Sequence, residues 1–132
     1  MIAGCRRVGT GMVKGHEITI TPSDVNIEVT IGGTTVAKSD RPVVLRETGL
    51  PARYYLPRED VRAELMRPTE TTTKCPFKGQ ASYWSVQIGD EVHVDVVWSY
   101  ETPIPEAKGI TGLLCFYNER VDLTVNGRLK TS

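Results

Sequence analysis

SYWSVQIGDEVHVDVVWSY, residues 82–100, is the stretch that decides the fold class. Apolar and polar residues alternate on either side of the Gly-Asp pair at 89–90, and this period of two indicates two half-buried β-strands. A two-residue turn at 89–90 would mix the two faces of the hairpin, whereas a three-residue loop at 89–91 sets Val86 opposite Val94. The sequence therefore predicts an antiparallel hairpin with the three-residue loop.

Shorter strand patterns occupy most of the remaining chain. The alternating run at 25–31 ends at two glycines, 32–33, which tolerate the positive φ of a tight hairpin turn. That turn sets Val29 opposite Val36, so that the apolar faces of the two strands meet. Five more short strands are predicted from apolar or alternating runs at residues 18–20, 43–47, 53–56, 113–117 and 121–125.

One helix is predicted as well. Residues 58–66 carry acidic side chains in the first turn and apolar ones at helical spacing, and Pro68 follows as a terminator. About eight short strands, one short helix and no internal repeat place the chain in the mainly β class, as an antiparallel single domain over residues 16–132. The glycine-rich residues 1–15 are expected to form a flexible N-terminal arm.

The composition excludes several classes of partner. The 132 residues include 16 Lys plus Arg and 16 Asp plus Glu, and this zero net charge argues against binding to nucleic acid or an anionic membrane. No apolar window approaches the ~18 residues of a membrane span, and the N-terminus lacks the apolar core of a signal peptide. Three cysteines without C-x-x-C spacing predict neither a disulfide framework nor a zinc site. We therefore expect no metal or cofactor, and the cytoplasm is the simplest compartment.

Cys75 has the most unusual local chemistry in the chain. It precedes a proline and lies close to Lys74 and Lys78, two cations that would favour a thiolate. Cys75 is therefore a candidate nucleophile or redox thiol. The commoner alternative is a small buried residue in a tight turn.

Charged residues form two further candidate sets. Glu47, Arg53 and Tyr55 flank a short loop, where an ordinary ion pair is the commoner arrangement and a general base is the alternative. His93 and Asp95 point to the same side of a predicted strand, a spacing that suits an oriented base or part of a metal site. A solvated polar face is the commoner outcome for such a pair.

Aromatic rings and a carboxylate come together near residue 100. Trp98 and Tyr100 end a predicted strand, and Glu106 follows in a proline-bracketed loop. Rings with an adjacent carboxylate suit a concave ligand site. Trp98 suits a core position under the loop equally well, since it shares a face with several valines.

Six short motifs occur in the order in which one known family carries them. They are H-x-ITI at 16–20, G-x-x-VA-x-S at 33–39, RYYLPREDV at 53–61, CPFKG-x-A-x-Y at 75–83, WSY-x-x-P at 98–103 and I-x-G-x-x-x-FY-x-x-RVD at 110–122. On these motifs, the chain resembles Domain of Unknown Function 427 over about residues 16–125.

The resemblance implies a small soluble bacterial or fungal protein with an Mss4-like β-tent fold, in which antiparallel sheets meet at an angle. That group includes zinc-bound modules, whose paired C-x-x-C motifs this chain lacks. A nucleotidyltransferase label is sometimes attached to the family, but the chain has no Gly-Ser motif followed by paired aspartates. The resemblance therefore carries a fold and no definite reaction.

The leading functional hypothesis is binding of a small molecule in a pocket between the β-sheets. The expected lining combines cations, aromatic rings and a carboxylate, namely Arg53, Tyr55, Lys78, Tyr83, Trp98, Tyr100 and Glu106. One alternative is an enzyme that uses Cys75 or Glu47 as the catalytic group or transfers a nucleotidyl group. The other is a homodimer that buries an exposed sheet edge.

Overall fold

The computed structural model describes residues 17–130, which form eleven strands and three short 3₁₀ segments. The strands are β1 (Ile18–Pro22), β2 (Ile27–Ile31), β3 (Thr34–Ser39), β4 (Val43–Glu47), β5 (Arg53–Leu56), β6 (Met66–Cys75), β7 (Gly79–Ile88), β8 (Glu91–Ser99), β9 (Leu114–Phe116), β10 (Asp122–Val125) and β11 (Arg128–Lys130). The 3₁₀ segments are Arg58–Asp60, Ala63–Leu65 and Pro105–Ile110. The arm predicted at residues 1–15 lies outside the described residues. Between residues 17 and 130, no helix has the length and apolarity needed to cross a membrane.

The strands form two sheets in which all neighbouring strands are antiparallel. Seven strands make the large sheet in the order β1-β4-β5-β9-β8-β7-β6, and four make the small sheet in the order β11-β10-β2-β3. Helical structure in this part of the chain is limited to the 3₁₀ segments. The predicted mainly β, antiparallel fold class is therefore confirmed.

Adjacent residues of the large sheet point to opposite faces and so supply two separate apolar clusters. Val44 and Leu45 divide in this way, and so do Val97 and Trp98. One cluster, the inter-sheet core, contains buried residues of both sheets: Ile27, Val29, Ile31, Val36, Ala37, Val44, Tyr54, Leu56, Val61, Val86, Val96, Val97, Leu114, Phe116 and Leu123. The other, the aromatic cluster, draws on the large sheet and its connections: Leu45, Tyr55, Cys75, Ala81, Tyr83, Trp98, Tyr100, Ala107, Ile110, Cys115 and Tyr117. The central strands of the large sheet, β5 and β9, are therefore buried on both faces, whereas the edge strand β6 is largely exposed.

The β7–β8 hairpin has a different register from the predicted one. Its turn contains two residues, 89–90, so Val86 lies opposite His93 and the predicted three-residue loop is wrong. The two apolar faces of the hairpin consequently fall on opposite sides of the sheet. Trp84 packs against the inter-sheet core, and Trp98 belongs to the aromatic cluster. The prediction assumed that one face of the hairpin is buried along its whole length, whereas both faces are buried near Trp98 and the two valines nearer the turn, Val92 and Val94, are exposed.

The predicted two-glycine turn between β2 and β3 is confirmed, with both glycines at positive φ. A bulge then places Val29 opposite Ala37, so the predicted pairing of Val29 with Val36 is wrong. Val36 and Ala37 are nevertheless both buried in the inter-sheet core. A bulge allows this because it interrupts the strict alternation of side chains along one strand.

The predicted helix over residues 58–66 is wrong. The segment contains two separate 3₁₀ turns, and Met66 begins β6, a ten-residue strand that the sequence analysis misses, as it misses β11. The N–H of Arg62 donates to the carbonyl oxygen of Val36 in β3 at 2.9 Å. In an α-helix the same N–H would donate to a carbonyl oxygen within the helix. Pro68 fits within β6 because this strand lies at the edge of the large sheet. Tertiary hydrogen bonds therefore override the helical periodicity.

Candidate functional site

Most of the predicted ligand residues meet on the face of the large sheet that points away from the small sheet. The aromatic cluster supplies the ring-bearing ones, Tyr55, Tyr83, Trp98 and Tyr100, and three buried charged residues adjoin it, Glu47, Arg53 and Lys78. Glu106 is the exception because it is exposed on the third 3₁₀ segment. The predicted residues thus converge, but the space between the two sheets is filled by the inter-sheet core.

A buried ion pair joins the β6–β7 turn to the end of β4. Nζ of Lys78 lies 2.9 Å from Oε1 of Glu47, and the two side chains are 0% and 1% exposed. The ammonium also lies 5.9 Å from the ring centroid of Tyr100, within cation–π range. Burial lowers the pKa of Lys78, and the Glu47 carboxylate opposes that shift. Within the described chain Glu47 thus pairs with Lys78, whereas Arg53, its expected partner, pairs elsewhere.

Glycine shapes the turn that carries Lys78. Gly79 has a φ of +119°, and a Cβ at this position would lie 3.1 Å from Cα of Pro103. The N–H of Ile104 donates to the carbonyl oxygen of Lys78 at 2.9 Å. The connection between β8 and β9 therefore packs directly against the turn, which a residue with a side chain would hinder.

Arg53 places a second buried charge on the same face. Its Nη1 donates to Oε1 of Glu119 at 2.9 Å, and the Arg53 side chain is 7% exposed against 40% for Glu119. The guanidinium carbon lies 5.4 Å from the ring centroid of Trp98 and 5.7 Å from that of Tyr117, so two rings hold the cation in position. Nε of Arg53 is buried and has no hydrogen-bond partner among residues 17–130.

The tyrosine hydroxyl groups of the aromatic cluster differ in whether they have a hydrogen-bond partner. Nε1 of Trp98 donates to Oη of Tyr55 at 3.0 Å, and the Tyr83 hydroxyl lies 2.9 Å from Oγ1 of Thr73. The Tyr100 hydroxyl is buried and finds no partner in the described part of the chain. Burial raises the pKa of Tyr100, so this group remains a neutral O–H donor.

The two described cysteines, Cys75 and Cys115, are both buried. Cys75 is disulfide-bonded, a bond that was not predicted from the sequence, and its proposed role as a nucleophile or redox thiol stays a prediction. Cys115 is a free thiol inside the aromatic cluster. Burial raises the pKa of Cys115 to about 12, with Arg53 and Lys78 opposing the shift, so the sulfur is protonated at neutral pH. The cytoplasmic location expected from cysteine usage stays a prediction.

His93 and Asp95 have separate contacts. Oδ1 and Oδ2 of Asp95 accept hydrogen bonds from the hydroxyls of Thr69 and Thr71, both at 2.7 Å, which ties a bulge in β8 to a bulge in β6. Nε2 of His93 lies 3.5 Å from Oε1 of Glu91. Across the described residues, no group of three or more His, Cys, Asp or Glu side chains is placed to hold a metal ion. Asp95 therefore serves the sheet structure.

Two side chains that complete the site, Tyr117 and Glu119, are not among the residues predicted from the sequence. Tyr117 lies two residues beyond Cys115 and therefore on the same face, a period-two signal that was present in the sequence. Glu119 lies in the turn after β9, where no pattern distinguishes it from the other exposed carboxylates. Its role follows from its contact with Arg53 alone.

Comparison with known protein families identifies the same relationship as the motifs. Residues 19–127 match the model of a family described as a domain of unknown function, DUF427. The matched range contains every side chain of the site described above. No curated protein matches the chain.

Proposed function

The chain belongs to the DUF427 family, whose description assigns no activity, and we propose that it binds a small anionic molecule at the aromatic cluster. The ligand is a carboxylate or a phosphate monoester contacted by Arg53, Lys78 and the hydroxyl of Tyr100. The observation that carries this proposal is the pair of buried donors, Arg53 Nε–H and Tyr100 O–H, that lack a partner among the described residues. Buried polar groups in proteins nearly always have one. Because both groups donate, an acceptor-rich anion suits them.

Two cations act on the same small region. Burial raises the pKa of Cys115, and the charges of Arg53 and Lys78 both oppose that shift. Each cation has a carboxylate neighbour, Glu119 for the first and Glu47 for the second, and the ligand-free site is therefore close to neutral. A bound anion would replace Glu119 more easily than Glu47, because the Glu119 side chain is 40% exposed.

Neutral substitutions distinguish a binding role from a structural role. Tyr100→Phe removes a hydroxyl that has no partner within residues 17–130, so the variant should be as stable as the wild type. Arg53→Met keeps an apolar side chain against the two rings and leaves Glu119 partly in water. Tyr54→Phe is the matched control, because Tyr54 belongs to the inter-sheet core on the opposite face.

Isothermal titration calorimetry against small dicarboxylates and phosphate monoesters tests the proposal. We expect one of these classes to bind, and Tyr100→Phe and Arg53→Met each to weaken that binding about tenfold or more, the loss associated with a hydrogen bond to a charged group. The control should bind as the wild type does. A wild type that binds no member of the panel contradicts the proposal, and so do both variants binding at full affinity.

The alternatives gain less support. The large sheet has two edge strands, β1 and β6, and a homodimer through the β6 edge gains little support because β6 carries Pro68 and a bulge, features that protect an edge from pairing. Enzymatic thiol chemistry at Cys75 would first require reduction of its disulfide bond and stays a hypothesis. Catalysis by Glu47 and nucleotidyl transfer stay hypotheses, with no contact among the described residues that favours them.

A further inference from the structure

We propose a second binding site, for small aromatic carboxylates, in a cleft where the inter-sheet core reaches the surface. The cleft has a volume of about 270 Å³ and is lined by Arg58, Val61, Ala63, Met66, Trp84 and Leu114. None of these residues belongs to the aromatic cluster. The proposal is therefore independent of the function proposed above.

The walls of the cleft are apolar and come from several elements. Val61 and Leu114 are buried members of the inter-sheet core, and Met66 and Trp84 are half-buried residues that pack against it. Val61 also bridges Ala37 of β3, so the cleft lies where the two sheets join. The thioether of Met66 and the indole ring of Trp84 both make favourable contacts with aromatic rings.

Arg58 supplies a positive charge at the rim. Its guanidinium carbon lies 5.2 Å from the ring centroid of Trp84, and its Nε donates to the carbonyl oxygen of Gly112 at 2.7 Å, so the group is held over the cleft. Nη2 lies 2.9 Å from Oε2 of Glu101, and the two side chains are 45% and 55% exposed. Exposed pairs of this kind are weak, and a ligand carboxylate can therefore take the place of Glu101.

The charge and the size of the cleft together select the ligand. Among the described residues that line the cleft, Arg58 is the one with a charge, which favours a single negative charge on the ligand. The volume of about 270 Å³ lies below the usual range of drug-sized pockets, roughly 300–1,000 Å³, so one aromatic ring system fits. A ring that packs on Trp84 and a carboxylate that meets Arg58 satisfy both features at once.

The indole N–H signals in a ¹H–¹⁵N NMR spectrum provide the assay. The chain has two tryptophans, and Trp84→Phe assigns the signals by removing one of them. Titration with benzoate should shift the Trp84 signal saturably, with a Kd on the order of 1 mM for a ligand of this size. The Trp98 signal reports separately on binding at the aromatic cluster, because Trp98 belongs to that cluster. Benzamide has the same ring without the charge and should bind about tenfold more weakly.

Arginine variants test the charge contact. Arg58→Gln should weaken benzoate binding about tenfold, the effect expected for losing a charge-assisted hydrogen bond. Arg41→Gln is the matched control, because Arg41 is another exposed arginine paired with a glutamate, Glu59, at 2.8 Å. The proposal is overturned if the Trp84 signal does not move, if benzamide binds as well as benzoate, or if the two arginine variants behave alike. A shift of the Trp98 signal alone would instead assign the ligand to the aromatic cluster.

Discussion

Replacing Lys78 with Met removes an ammonium that lies 2.9 Å from Glu47, at a place where neither side chain reaches solvent. A similar pair on the surface contributes about 0–1 kcal/mol. Breaking a buried pair costs roughly 3–5 kcal/mol, because the remaining carboxylate has lost both water and its cation. Lys78→Met should therefore remove a large share of the free energy of unfolding, which is on the order of 5–15 kcal/mol for a domain.

A double variant separates the charge effect from packing. Glu47→Met together with Lys78→Met leaves two apolar side chains in the same space, an exchange that is often neutral or stabilising by about 1–4 kcal/mol. In urea unfolding, each single variant should have a lower midpoint than the wild type, and the double variant should recover most of the loss. Lys108→Met, at an exposed position, is the control and should stay within about 0.5 kcal/mol of the wild type.

The pH dependence of stability has a definite sign. Burial lowers the pKa of Lys78 in the folded state, so between that value and the unfolded lysine value of about 10.4 the unfolded chain binds more protons. Stability contributed by this group therefore rises with pH across that window. Glu47→Met removes the carboxylate that opposes the shift and lowers the folded pKa further. Its deficit relative to the wild type should therefore shrink as the pH rises toward the unfolded lysine value of about 10.4.

Two results would refute this reasoning. A loss of less than about 1 kcal/mol in Lys78→Met would mean that the pair behaves as an exposed one. If the costs of the two single variants simply add in the double variant, the two side chains do not interact.

Three further predictions concern the backbone and the thiol. Gly79→Ala places a Cβ 3.1 Å from Cα of Pro103 at a φ of +119° and should cost about 1–3 kcal/mol in urea unfolding; a variant as stable as the wild type contradicts the close approach. Asp95 has a φ of +54° and accepts hydrogen bonds from two threonine hydroxyls at 2.7 Å, so Asp95→Ala should cost about 1–3 kcal/mol. Asp95→Asn should be intermediate, because Asn tolerates left-handed backbone and keeps one acceptor oxygen. Equal unfolding midpoints for all three chains would count against the bridge. Burial raises the pKa of the Cys115 thiol to about 12, so Cys115 should resist alkylation by iodoacetamide at about pH 8 until urea unfolds the chain. Mass spectrometry detects the alkylated form. Alkylation of the folded protein at the rate of a free thiol would contradict the burial of Cys115.

The sequence predicts the members of the candidate site better than it predicts their contacts. Arg53 and Lys78 stand out by residue type and by their aromatic neighbours, and both are buried beside the aromatic cluster. Their partners are a different matter: Glu47 lies 31 positions from Lys78, and Glu119 lies 66 positions from Arg53. Neither separation corresponds to a local spacing rule, so the sequence alone could not show that Glu47 pairs with Lys78 rather than with Arg53.

The sequence by itself determined the antiparallel strand content and the two-glycine turn of β2–β3, because alternation and positive φ are local properties of the chain. The tertiary structure decided the register of β7–β8. Trp84 packs against the inter-sheet core and Trp98 belongs to the aromatic cluster, so the two side chains lie on opposite faces of the large sheet. The predicted three-residue loop assumed instead that both tryptophans share one buried face. The tertiary structure also decided that residues 66–75 form an edge strand and that Lys78 meets Glu47. These outcomes depend on contacts between elements that are far apart in the sequence. The strength of a hydrogen bond or an ion pair is set by the distance between its atoms and by the exclusion of water, and a local sequence pattern specifies neither of these.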